Sequence, residues 1–291
     1  MPHSGNKVTG LTYINSTCYA SSSSAGKVSI WSISNGNLLN DVAAFDAKSL
    51  NDLGYTNDKR IAIVSADSTN NVFLWNTNSN PTTLSFHTSA ATCLKVLSSS
   101  RLATGDQAGQ INIWNLISNT KEITLTHGGN ILDLDSIGTT LFSVSSNKKV
   151  EMWNFTSGNS LGDLNLAPDN PNNVKAINSN LVAVSLTNNK IKLYSLTPKT
   201  ELRELTDHTN TINRLAFASP YLISIAQDSI RLWNSTTSST TASVIIAVTN
   251  NPLSIDVLLD NEIITTTTST TTSTSTTTTT STTTSTTTTT S

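Results

Sequence analysis

A short aromatic phrase recurs along this chain at nearly constant intervals. Copies such as QINIWN (110–115), KVEMWN (149–154) and SIRLWN (229–234) each set one aromatic residue among apolar ones. The aromatic residues of the six copies are separated by 44, 39, 39, 41 and 39 residues, and they are Trp31, Trp75, Trp114, Trp153, Tyr194 and Trp233. A nearly fixed period of this length indicates that one supersecondary unit is used repeatedly.

Apolar and polar residues alternate within each unit, which indicates short β-strands rather than helices. In the third unit, TCLKVL (92–97) and RLATG (101–105) precede the aromatic phrase, and the more polar KEITLT (121–126) follows it. Each unit therefore contributes four strands.

The strand that carries the aromatic residue is apolar on both faces. Ile111 and Ile113 point to one side, and Trp114 and Leu116 point to the other. Such a strand must be covered on both sides. A ring of sheets packed face to face provides this cover, so we predict an all-β propeller of four-stranded antiparallel blades.

Six units are complete, and a seventh is begun but not finished. The six predicted blades cover residues 8–45, 49–87, 91–127, 130–167, 173–207 and 211–248. Two further strands are predicted at 253–259 and 262–267, after which apolar residues end. We therefore assign residues 1–264 to the propeller and residues 265–291 to a separate tail.

The tail consists of Thr and Ser alone. A segment without apolar side chains cannot offset the entropy lost on ordering, so we predict that it is largely disordered. At most one weak Thr strand is expected to join the unfinished blade. The composition is typical of a stalk or a linker, and we expect this chain to be a fragment of a longer protein.

Across residues 8–264 the chain resembles the WD-repeat family, whose unit runs from a Gly-His pair to a Trp-Asp pair. The Trp is kept in five of six copies, but Asn follows it in four of them, as in Trp114-Asn115. His87, His127 and His208 stand 26, 26 and 25 residues before their Trp, at the position of the family's Gly-His pair. The resemblance implies that these nine residues, six aromatic and three His, are structural markers of the repeat.

The family's blades contain a hydrogen-bonded tetrad of that His, a Ser or Thr on the next strand, a turn Asp and the Trp. The turn position, six residues before the aromatic residue, here holds Ala25, Thr69, Ala108, Asn147, Asn188 and Gln227. We therefore expect no complete tetrad, and blades that are held by packing more than by polar networks. Three nearby acids, Asp67, Asp106 and Asp228, are the alternative members of such networks.

Composition excludes several classes of partner. The net charge of −2 and the 12% of charged residues provide no basic surface for phosphate backbones, so we expect no nucleic acid partner. No run of 18 apolar residues and no signal peptide occur, which predicts a soluble, cytoplasmic protein without membrane insertion. The two cysteines, Cys18 and Cys93, fit neither a disulfide framework nor a paired-Cys metal site.

The sequence provides little for catalysis. Three of its four histidines are explained by the repeat, and no GxSxG nucleophile turn occurs. The glycine-containing TGDQAGQ (104–110) joins two strands and does not precede a helix, so it is not a phosphate-binding loop. We expect no catalytic residues, no cofactor and no metal, and hence no enzyme.

The favoured function is a monomeric scaffold that binds other proteins or peptides, as the resemblance to the WD-repeat family implies. The turns between second and third strands and the loops that carry the histidines share one face of a propeller. Candidate partner-binding residues on this face are Asp67, Asp106, Asn147, Asn188 and Asp228. Two alternatives stay open: an extracellular or surface propeller on a Thr/Ser-rich stalk that binds glycans or small ligands, and a sensor domain of a larger signalling protein.

Overall fold

The computed structural model describes residues 6–42, 49–65, 71–76 and 80–247, together with the backbone of 252–257 and 263–267. Every regular element within these ranges is a β-strand. Twenty-four strands form six antiparallel four-stranded sheets, each made of four consecutive strands. These sheets are the blades of a propeller, which confirms the predicted all-β fold with six complete blades.

The blade boundaries agree with the repeat to within a few residues. The first three blades consist of β1 (Val8–Asn15), β2 (Cys18–Ser23), β3 (Val28–Ser32) and β4 (Leu38–Val42); β5 (Leu50–Tyr55), β6 (Ile61–Ser65), β7 (Asn71–Trp75) and β8 (Thr82–Ser85); and β9 (Ala91–Ser98), β10 (Arg101–Asp106), β11 (Gln110–Asn115) and β12 (Thr120–Thr126). The first strand of each blade is the innermost, and the third strand carries the aromatic marker.

Blades four to six repeat this order. They consist of β13 (Ile131–Ile137), β14 (Thr140–Ser145), β15 (Lys149–Asn154) and β16 (Ser160–Asn165); β17 (Pro171–Asn178), β18 (Leu181–Leu186), β19 (Ile191–Leu196) and β20 (Lys199–Leu205); and β21 (Ile212–Ala218), β22 (Tyr221–Ala226), β23 (Ser229–Asn234) and β24 (Val244–Ala247).

A seventh, two-stranded sheet follows blade six. Its strands β25 (Pro252–Val257) and β26 (Ile263–Thr267) pair antiparallel, close to the predicted positions. β25 packs beside β21 of blade six and β1 of blade one, so the inner strands follow one another around the whole ring. β26 crosses the predicted domain boundary at residue 264. The predicted disorder falls mainly on residues 268–291, which lie outside the described residues, and it stays a prediction.

The aromatic markers of blades two to six each pack into the preceding blade. Trp114 of blade three is fully buried against Val64, Val72 and Leu74 of blade two. On the other face of the same strand, Ile113 packs towards blade four. Burying one Trp stabilises the fold by about 4–6 kcal/mol as an upper bound, at about 25 cal/mol per Å² of apolar area. The phrase recurs because every junction between blades needs this contact.

Trp31 of blade one is the exception among the six markers. The other five are between 0% and 8% exposed, whereas Trp31 is only partly buried and stacks on Tyr19, with ring centroids 6.4 Å apart. The sheet that precedes blade one in the ring is the two-stranded one, and no third or fourth strand is described for it. The junction between blades six and one is therefore less complete in the described residues than the others.

We predict that Trp114→Ala lowers the free energy of unfolding by about 3–5 kcal/mol, the usual cost of emptying a buried Trp site. Trp31→Ala should cost about half as much, because its side chain leaves water only in part. Urea titration followed by circular dichroism measures both. Equal losses would show that the first junction is as tightly packed as the third.

Candidate functional site

A complete polar network lies behind the Trp of blade three. Thr104 Oγ1 accepts a hydrogen bond from Trp114 Nε1 at 2.7 Å and lies 2.6 Å from Nε2 of His87. The other ring nitrogen of His87 lies 3.1 Å from Asp106 Oδ2. Asp106 Oδ1 accepts the backbone N–H groups of Ala108 and Gln110, so the same carboxylate fixes the turn between β10 and β11.

The expectation that no blade has a complete tetrad is therefore wrong for blade three. The missing turn Asp is replaced by Asp106, two residues before the turn position that Ala108 occupies. From there the carboxylate still reaches both the ring of His87 and the turn amides. A fixed sequence offset failed because the side chain can span the difference.

Blades four and six hold partial versions of the network. In blade four, Ser143 Oγ accepts from Trp153 Nε1 at 2.9 Å and lies 2.8 Å from His127 Nδ1. In blade six, Ser224 Oγ accepts from Trp233 Nε1 at 2.8 Å and lies 2.6 Å from His208 Nε2. A hydroxyl about ten residues before the Trp is thus the shared centre of these networks.

The two histidines of these partial networks are neutral at pH 7. Burial, and to a smaller extent nearby Lys149, lower the pKa of His127 to about 4. Burial likewise lowers the pKa of His208 to about 4, with Arg231 as the second cause. Both act as packed hydrogen-bonding groups, which agrees with the repeat as the reason for their presence.

Polar side chains on the inner strands bind the backbone of the next blade. Asn51 Nδ2 donates to Ala91 O at 2.7 Å, and Thr92 Oγ1 donates to Ile131 O at 2.6 Å. Asn172 Nδ2 makes the equivalent bond to the next blade. These bonds join neighbouring inner strands one repeat apart and hold the walls of the central channel at a fixed spacing.

Arg214 crosses the channel. It lies on β21 of blade six, yet Nη2 lies 3.1 Å from Asp52 Oδ1 of blade two and Nη1 lies 3.4 Å from Asp133 Oδ1 of blade four. Asp133 Oδ2 also accepts the N–H of Val174 at 2.9 Å. One guanidinium thus connects three blades that are not neighbours in the ring.

The two carboxyls around Arg214 are costly to ionise. Burial raises the pKa of Asp133 to about 6, even though Arg214 acts in the opposite direction. Burial also raises the pKa of Asp52, against the same guanidinium. Asp52 in turn raises the pKa of Arg214, which stays charged.

A second charged layer lies two residues further along the inner strands. Asp135 Oδ1 lies 2.6 Å from Lys95 Nζ, and its Oδ2 lies 3.1 Å from Lys175 Nζ. Burial alone would raise the pKa of Asp135, but the two ammonium groups outweigh it and hold that pKa well below its usual range. This carboxylate therefore connects blades three, four and five.

Within the described residues, cavities lie in the channel on both sides of Arg214, which lines both of them. The cavity at the start of the inner strands has a volume of about 270 Å³ and is lined by polar, mostly uncharged groups such as Asn51, Thr92 and Asn173. The cavity on the other side has a volume of about 340 Å³ and contains both charged layers.

The mouth of the smaller cavity opens on what we call the loop face. This face consists of the loops that carry His87, His127 and His208 and of the turns between second and third strands. Contacts between the two sets hold it together: Asn147 Nδ2 donates to His127 O at 3.0 Å, and His127 N–H donates to Gly109 O at 2.9 Å.

The predicted partner-binding residues differ in accessibility. Asn147 and Asn188 are exposed on turns of the loop face, and Asp228 is partly buried beside His208. Asp106 is fully buried, so its carboxylate is used inside blade three and is not offered to a partner. Asp67 lies outside the described residues.

The charged residues of the channel were not predicted from the sequence. They are Asp52, Lys95, Asp133, Asp135, Lys175 and Arg214. The sequence does mark them, because each is a charged residue within a mainly apolar inner strand, as in NILDLD (130–135) and INRLAF (212–217).

Among the described residues, no cluster of three His, Cys, Asp or Glu side chains is arranged to hold a metal ion. In the same part of the chain, no helix is long and apolar enough to cross a membrane. No protein-family model matches the chain, and no curated protein matches it significantly. The function is therefore inferred from the fold and its contacts.

Thr104→Val tests the network of blade three. The substitution keeps the shape but removes the oxygen that serves both His87 and Trp114, which leaves polar groups buried without a partner. We predict a loss of about 1–3 kcal/mol in the free energy of unfolding for each such group. Thr104→Ser keeps the hydroxyl and should lose much less stability. Equal losses in the two variants would mean that the methyl group contributes as much as the oxygen.

Asp133→Asn tests the channel by its pH dependence. The folded-state pKa of Asp133 is about 6, above the ordinary value of 3.8, so folding holds its proton more tightly. Ionisation therefore costs stability, and the cost appears as pH rises from about 4 to about 6. Wild type should lose stability relative to Asp133→Asn across this range, measured by urea titration at each pH. A gain in stability of the wild type relative to Asp133→Asn over this range would mean that Arg214 lowers the pKa of Asp133 by more than burial raises it.

Proposed function

We propose that this protein is a non-catalytic scaffold that docks other proteins or peptides on its loop face. The observation that carries the proposal is a set of exposed amide side chains on this face, which we call the rim. They lie at the turns of four successive blades and are Gln107, Asn147, Asn188 and Gln227. The cavity lined by Asn51, Thr92 and Asn173 opens on the same face.

Amide side chains are suited to this role because each carries both a hydrogen-bond donor and an acceptor. An extended peptide likewise presents alternating N–H and C=O groups. The rim can therefore recognise main chain without a charged partner, which fits the low overall charge of the protein. The networks behind the blades and the ion pairs of the channel support docking by keeping the rim rigid, which lowers the entropy lost on binding.

We also infer that the chain is a divergent member of the WD-repeat family. The support is the set of four residues His87, Thr104, Asp106 and Trp114, with partial copies centred on Ser143 and Ser224. A cytoplasmic location and a monomeric state belong to the same proposal.

The free Cys93 thiol is buried, and burial raises its pKa, so it acts as a small core residue.

Small-ligand binding is the second candidate, and the larger cavity favours it. Its volume of about 340 Å³ suits a small molecule, and Lys95, Lys175 and Asp135 line it. However, these side chains are bound to one another, so a ligand must displace existing ion pairs. Protection of the protein against thermal unfolding by small carboxylates or sugars would favour this candidate over the scaffold.

The scaffold function is tested by a double variant of the rim, Gln107→Arg with Gln227→Arg. Both side chains are exposed, so we predict unchanged stability and the loss of proteins that the wild type captures from its native source. Ser118→Arg with Ser157→Arg, at exposed turns of the opposite face, is the matched control and should keep them. Mass spectrometry of the captured proteins provides the measurement; equal capture by both variants would contradict docking on the loop face.

A further inference from the structure

We propose that the seventh sheet is completed by a β-hairpin from another polypeptide, which inserts between blades six and one. Within the described residues this sheet has two strands, whereas the other six sheets have four. The inserted hairpin would pair with β26 as the third and fourth strands. This surface is separate from the loop face, so either proposal can fail without the other.

The hairpin would fill a gap between blades six and one. One wall of this gap is the face of blade six that points away from blade five. Ile230 and Leu232 of β23 lie opposite Ile246 and Val244 of β24, so these four side chains share a face. The same face contains the small cluster of Ile223, Ile225 and Ile230. Val244 and Ile246 remain 44% and 47% exposed on it.

The equivalent position in four other blades is buried. In blade six, Ile246 of the fourth strand pairs with Ile230, three residues before the aromatic marker. In blades two to five, the fourth-strand residue that pairs with the same position is a Leu. These leucines are between 1% and 4% exposed, and they are Leu84, Leu125, Leu164 and Leu205. In blade three, Leu125 belongs to the cluster that contains Trp153 of the next blade. Ile246 is exposed because, within the described residues, no aromatic residue of a following blade covers it.

The other wall is the face of blade one that carries Trp31. Leu38 of β4 lies opposite Trp31 in the strand register, so the two side chains share this face. Leu38 is 41% exposed, and Trp31 is the marker that is not fully buried. The unburied apolar residues of both walls therefore lie where a complete sheet would cover them.

The composition of the missing strands follows from the other blades. Blades two to six each supply an aromatic residue on the third strand to the blade before it, so a hairpin in the gap needs a large apolar residue facing Ile246. Residues 268–291 of this chain are Thr and Ser alone and contain no such side chain. A hairpin with an alternating apolar strand and an aromatic residue meets the requirement. We assign it to a partner protein because pairing of a partner's strand to an exposed sheet edge is an established mode of peptide binding.

The probe for this site is a synthetic, fluorescently labelled peptide that copies residues 110–126, the third and fourth strands of blade three. We expect it to bind the full chain saturably in fluorescence anisotropy. Ile246→Arg should weaken binding at least about 10-fold, because it places a charge on the covered face. Ile245→Arg is the matched control: its side chain lies on the opposite face of the same strand and is also exposed, so it should change binding less than about 2-fold.

Two further arms keep the test decisive. The same peptide with Trp114→Ser should bind at least about 10-fold more weakly, because the aromatic side chain is the main apolar contribution. Replacing residues 268–291 by a flexible linker and the copied hairpin should raise the Tm of the chain, and Ile246→Arg should abolish that rise. The rim variant of the loop face should bind the peptide as the wild type does.

Three results would overturn the proposal. Absence of both peptide binding and a rise in Tm would mean that the gap accepts no hairpin. A dimer in analytical ultracentrifugation that Ile246→Arg dissociates would assign the surface to a second copy of this chain. Peptide binding that occurs only after deletion of residues 268–291 would assign it to the chain's own tail.

Discussion

Contact between neighbouring blades through one aromatic side chain is the interaction on which the structure depends. A single four-stranded sheet would leave the apolar residues on both of its faces in water. Trp114 covers blade two, and on the other side of its strand Ile111 and Ile113 are covered by blade four. Because each blade is covered only by its neighbours, no blade is expected to be stable alone, and the ring places a sheet on both sides of each blade.

The fold was predictable because it depends on patterns that repeat. The aromatic marker, the strand alternation and the four-strand unit each occur six times, so local irregularities do not obscure them. The polar network of blade three was harder to predict, because the carboxylate that contacts His87 belongs to Asp106, two residues before the expected turn position. Sequence offsets define backbone positions, whereas a flexible carboxylate can bind the same partner from either of two nearby positions.

The channel could not be predicted for a different physical reason. Asp52, Asp133 and Arg214 are far apart in the sequence, and each lies in a strand that has the pattern of an ordinary core strand. Only closure of the ring brings them within hydrogen-bonding distance. Charged residues within apolar inner strands are in retrospect the available signal, since an isolated charge would be costly to bury there.

The guanidinium of Arg214 has a consequence for how the molecule loses its structure. Repeat proteins whose units contact only adjacent units can melt piecemeal, starting from an end. Here a side chain of blade six is bound to blades two and four, so loss of any one of them leaves buried charge uncompensated in another. This long-range linkage converts a chain of nearest-neighbour contacts into a single all-or-none unit.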